Sequence, residues 1–172
     1  MQCVFLMIWK VPPEASTIDI ANSCFPNLQF YEIIMQRLSF DFPASTVNLA
    51  KIGELAAHAG QKAGFSNVNI GDIQVAIDEA CTNTIIHGLE KDSTRMFQLI
   101  IQWDAGKIEI LIHETGVSFD PESIGLPDIE APLEDRSAGG LGIYLVRKLM
   151  DEVKYSTDED GVKTLYMLKR VK

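Results

Sequence analysis

Three stretches of this 172-residue chain carry residue types that do phosphate and metal chemistry. In the first, residues 76–88, Glu79, Asn83 and His87 recur at i, i+4 and i+8, so a helix there would put them on one side. An asparagine offers a neutral oxygen to Mg²⁺, a cation that takes hard oxygen ligands. A carboxylate one turn away can orient or deprotonate a hydroxyl. The same spacing also describes the wet face of an ordinary amphipathic helix. His87 suits the negative end of a helix dipole better than catalysis or metal ligation.

The second stretch, residues 110–121, is an apolar run that ends in Glu114, Thr115 and Gly116. The carboxylate can accept a hydrogen bond from a base or ribose, and Gly116 would let a ligand approach closely. A strand end followed by a plain turn is the alternative. The third stretch, residues 137–150, places Gly139, Gly140 and Gly142 at the head of an apolar helix. Backbone amides at such a helix start can hold an anion. The glycines do not follow a first strand as a dinucleotide fingerprint requires, and no Lys-Ser or Lys-Thr follows them as in a P-loop. A hinge is the other reading. Residues 119–138 hold six acids against one base, Arg136. A polyphosphate bound near that charge would need backbone amides and a metal to offset the repulsion.

The elements that must position these residues follow from periodicity. Leu38, Phe40 and Phe42 alternate with polar residues, which predicts a short strand closed by Pro43. Ser45 is the expected cap of a helix from 46 to about 60 or 64, with Leu49, Ile52, Leu55, Ala56 and Ala59 as its apolar stripe. Asn69 is the expected cap of a second helix over 70–86, ended by Gly88. Strands are expected over 95–103 and 107–113, joined tightly at 104–106. A loop over 115–140, a helix over 141–150 and strands over 152–157 and 162–169 complete the order. That order predicts an α+β two-layer sandwich, with helices on one face of a mostly antiparallel sheet. Residues 1–36, apolar and aromatic without a clear period, read as an arm of undetermined structure before the domain at 37–172.

Fifteen Lys and Arg stand against 24 Asp and Glu, a formal net charge of −9. Direct nucleic-acid binding, which rests on neutralising phosphates, is not expected, nor is attachment to an anionic membrane. Cys3, Cys24 and Cys81 are odd in number and widely spaced, which argues against a disulfide framework or a zinc site and for a reducing cytoplasm. The apolar stretch at 4–9 is too short for a membrane span and has no basic leader before it.

Taken in order, the three stretches resemble the ATP-binding boxes of the Bergerat (GHKL, histidine-kinase-like ATPase) fold. More closely, residues 37–169 resemble the bacterial anti-sigma factor serine kinases of the RsbW and SpoIIAB group. The resemblance is carried by the run at 78–83, by Gly139, Gly140 and Gly142 with the helix after them, and by Asp151 and Tyr155 beyond. It implies a Bergerat fold with a mixed, mostly antiparallel sheet. It implies ATP and Mg²⁺ as cofactors, with Asn83 on the metal and Glu79 as general base toward a protein serine. It places Glu114 and Gly116 at the adenine, and Gly139, Gly140 and Gly142 in the ATP lid. Arg136 is matched to a basic lid residue that faces the phosphates. The partners implied are a sigma factor, a STAS-domain anti-anti-sigma protein and a second copy of the chain. The family's usual acid before the glycine is Asp, and here Glu114 adds a methylene. A nucleotide-binding module that acts by contact alone is the alternative to a kinase.

Overall fold

The computed structural model describes residues 35–116 and 141–172. The expected arm, up to residue 34, and the lid segment with Arg136, Gly139 and Gly140 lie outside the described residues. Five described strands form one sheet: β1 (Gln36–Pro43), β2 (Met96–Asp104), β3 (Lys107–Glu114), β4 (Glu152–Thr157) and β5 (Lys163–Arg170). Their spatial order is β1-β2-β3-β5-β4. The sheet, expected to be mostly antiparallel, is antiparallel at each of these pairings. The reason is connectivity: β2 and β3 form a hairpin, and a second hairpin enters at the edge as β4 and returns as β5 beside β3.

The helices among the described residues are α1 (Leu49–Lys62), α2 (Asn67–Asn83) and α3 (Leu141–Leu149). A 3₁₀ turn, Thr46–Asn48, precedes α1, and a π-helical turn, Thr84–Gly88, continues α2. Two expected caps are corrected. Ser45 makes no side-chain cap bond. Instead the Asn48 amide donates to the carbonyls of Pro43 and Ser45, which holds the 3₁₀ turn and delays the α-helix to Leu49. In α2 the cap is Ser66, whose hydroxyl accepts the Asn69 N–H at 3.3 Å, so Asn69 sits inside the first turn. α1 ends at Lys62, between the two expected limits. Phe65 N–H reaches back to Gly60 O at 3.0 Å, Gly64 N–H reaches Gln61 O at 3.1 Å, and Gly64 takes φ +88°.

Strand register explains the core. Ile110 lies opposite Ile101 on β2 and Met167 on β5, while Ile112 lies opposite Leu99 and Leu165. This face of the sheet is therefore continuously apolar. It packs with Ile52, Ala56 and Ala59 of α1, Ile73, Ile77, Ala80 and Cys81 of α2, and Val146 of α3. Each large buried side chain here is worth about 1.5–3 kcal/mol of transfer free energy. The helices thus share one face of the sheet, as expected for a two-layer α+β fold. Among the described residues no helix is long and apolar enough to cross a membrane.

Candidate functional site

The core stripe of α2 fixes which way its polar face points. With Ile73, Ile77, Ala80 and Cys81 buried, Glu79 and Asn83 come to the margin of the core, both half-buried and one turn apart. His87, the third member of the expected trio, is exposed at the π-helical turn. In that turn the Leu89 N–H bonds to Thr84 O at 2.8 Å. Glu90 and Lys91 then take φ of 56° and 59°, which turns the chain away toward β2. Cys81, on the buried side of the same helix, has its thiol held well above its ordinary value of 9.0, chiefly by burial and also by Asp78.

α3 approaches the Glu79 and Asn83 margin through Gly142. A Cβ at Gly142 would overlap Oε2 of Glu79 and stand 3.5 Å from Nδ2 of Asn83. Ile143 and Val146 anchor the helix on its buried side. Its far end is tied by Lys169, a lysine on the core face of β5 whose side chain is 11% exposed. The Lys169 ammonium donates to Leu149 O at 2.5 Å and pairs with Asp72 Oδ2 of α2 at 3.2 Å. α3 therefore runs antiparallel to α2, with one contact at each end.

The end of β3 forms the second part of the site. The Glu114 carboxylate accepts the Gly116 N–H and lies 3.6 Å from the Lys163 ammonium, its register partner on β5. These side chains are only 10% and 17% exposed. Lys163 also donates to Gly116 O, and Arg95 Nη2 donates to Thr115 O at 2.9 Å. Two cations therefore hold two successive carbonyls. Gly116 abuts the Gly88 carbonyl, where a Cβ would not fit, and a Cβ on Gly88 would meet Glu114 at 3.3 Å. No side-chain bulk separates the end of the π-helical turn from the end of β3.

The structure thus brings Glu79, Asn83 and Gly142 together, and separately Glu114 and Gly116. Arg136, Gly139 and Gly140 lie outside the described residues. Three residues were not read from the sequence as part of this site: Lys163, Arg95 and Gly88, the last expected only as a helix terminator. Lys163 had a signal, since alternation from the apolar Leu165 and Met167 puts it on the core face. Among the described residues no group of three or more His, Cys, Asp or Glu is arranged to hold a metal. The amide oxygen of Asn83 still fits Mg²⁺, which usually takes one or two protein oxygens and completes its shell with water and phosphate.

Comparison with known proteins gives this geometry its context. Residues 42–169 match the family described as the histidine kinase-like ATPase domain. The chain is 31% identical over 128 residues to the serine-protein kinase RsbW of Bacillus thuringiensis (strain Al Hakam), covering 72% of this chain and 79% of that protein. Among solved structures it resembles the RsbU and RsbW domains of a Mycobacterium tuberculosis protein, with TM-score 0.54 and 16% identity. That match covers 78% of this chain and 32% of the other. It also resembles a chain of the SiaB–SiaC complex from Pseudomonas aeruginosa, with TM-score 0.53 and 12% identity over 92% of this chain and 99% of that one. At these identities the structures speak for the fold, and the family match and RsbW identity speak for descent. The chain belongs to the histidine kinase-like ATPase family, in the group of the RsbW serine-protein kinases.

Proposed function

We propose that this chain is an ATP- and Mg²⁺-dependent protein serine kinase that also binds and sequesters a sigma factor. Its phosphoryl acceptor is a serine of a STAS-domain anti-anti-sigma protein, and it works as a homodimer in the cytoplasm. The observation that carries the reading is the pairing of Glu79 and Asn83, half-buried one turn apart and both abutted by Gly142. Family membership and the RsbW relative's description as a serine-protein kinase support it. The SiaB–SiaC structure is a complex between two proteins and supports a protein partner.

In this reading Asn83 holds Mg²⁺, whose charge offsets that of the phosphates. Glu79 accepts the proton of the serine hydroxyl. The serine oxygen bonds to the γ-phosphorus as the bond to the β–γ bridging oxygen breaks, and ADP leaves. Gly139, Gly140 and Gly142 give the lid its backbone approach to the phosphates, and Arg136 adds a cation there. Glu114 and Gly116 take the base. One observation favours a second reading, a module that acts by contact alone: the Glu114 carboxylate is already engaged by Gly116 and Lys163.

Incubation with labelled ATP, Mg²⁺ and candidate STAS-domain proteins separates the two. The kinase reading expects label on a serine of the cognate protein. ATP binding with no transfer to a partner that demonstrably binds would favour the contact module.

A further inference from the structure

The base end of the site holds a feature that a lone acid would not provide. Glu114 and Lys163 are opposed in register on the core face of the sheet, with carboxylate and ammonium 3.6 Å apart. Both side chains are largely buried. The Gly116 N–H turns the carboxylate toward the loop, and the Lys163 bond to Gly116 O keeps the ammonium there. Gly116 packs against Glu114 and the Gly88 carbonyl with no room for a Cβ, so backbone rather than side chains borders the pair on this side.

The hydrogen-bonding inventory decides what such a pair reads. A carboxylate only accepts. Alone, it favours adenine, whose six-position amine donates, and disfavours guanine, whose six-position carbonyl accepts. An ammonium beside it supplies the missing donor, on a flexible stem that can trade a backbone carbonyl for a base oxygen. Guanine can then place O6 toward Lys163 and its ring N–H and two-position amine toward Glu114. Adenine can still place its amine on Glu114.

We infer that Lys163 is a specificity-determining residue that opens the base site to guanine nucleotides, so that the protein binds GTP as well as ATP. The inference rests on the proposed reading of Glu114 as the base-contacting acid. Lys163→Met removes the donor and keeps the stem. Lys163→Arg keeps a donor.

Titration calorimetry of the full chain with ATP and with GTP, both with Mg²⁺, tests it. Thermal unfolding of each variant checks that it is folded. Loss of a matched polar contact in a buried site costs about a hundredfold or more, so the wild-type dissociation constants should lie within about tenfold of each other. Lys163→Met should widen the gap to about a hundredfold, through weaker GTP binding, and Lys163→Arg should keep it narrow. Wild-type protein that binds ATP but rejects GTP by about a hundredfold overturns the inference and leaves the ATP reading intact. An unchanged ratio in a folded Lys163→Met that still binds ATP overturns it too. Binding of neither nucleotide overturns both readings.

Discussion

Gly142 lies so close to Glu79 that a Cβ on the glycine would overlap the carboxylate oxygen Oε2. Seven positions further along each helix, Lys169 joins Leu149 O to Asp72. α3 is thus referenced to α2 at both ends. The proposed catalytic margin depends on that alignment, because α3 leads directly from the segment that holds Gly139 and Gly140.

Gly142→Ala sets two effects against each other. Helix propensity favours Ala by about 1 kcal/mol. The steric conflict with Glu79 opposes it and forces either the carboxylate or α3 to move. We expect transfer to fall by at least about tenfold, since small misplacements near reacting groups are costly. Rates measured beside thermal unfolding check this. A variant that gains stability and keeps its rate would show that the close approach has no role.

Lys169→Met should destabilise the domain. It leaves Leu149 O without its lysine donor and Asp72 without its partner. Breaking a buried pair costs about 3–5 kcal/mol, but Asp72 is a third exposed, so about 1–3 kcal/mol is expected. Asp72→Asn should cost less, because the lysine keeps its carbonyl acceptor. Urea unfolding of both variants checks the order.

Cys81 predicts an alkaline limit to stability. The folded thiol is held above its ordinary value of 9.0, while the unfolded thiol ionises near it. The unfolded state then binds fewer protons, so this contribution is intact below about pH 9 and falls as pH rises above it. Cys81→Ala should flatten that decline, as seen in unfolding midpoints from pH 8 to about pH 10. Native Cys81 should also resist alkylation until the domain unfolds.

Much of this architecture was legible in the sequence, for physical reasons that differ by element. The buried face of β3 alternates with its other face and that of β2 does so except at the buried Ile100, so both strands and their tight connection could be anticipated. The stripe of Ile73, Ile77, Ala80 and Cys81 fixed the polar face that carries Glu79 and Asn83. The start of α2 was misread, with Asn69 expected as the cap in place of Ser66, because the exposed Asn67 and Val68 carry no apolar period to mark the helix before Ile70. The meeting of Glu114 with Gly88 and Lys163 is a long-range contact that spacing along the chain does not encode. Lys163 and Lys169 sit on the core face of β5 with Leu165 and Met167, positions where charged residues are not expected.

The central claim is that Glu79 takes a proton from a serine hydroxyl during phosphoryl transfer. Single-turnover transfer from labelled Mg-ATP to the cognate STAS-domain protein, by wild type and Glu79→Gln, tests it most directly. A lost general base costs about a hundredfold to ten-thousandfold in rate, so Glu79→Gln should retain ATP affinity while transfer falls by that factor. Transfer at the wild-type rate by Glu79→Gln would contradict the account.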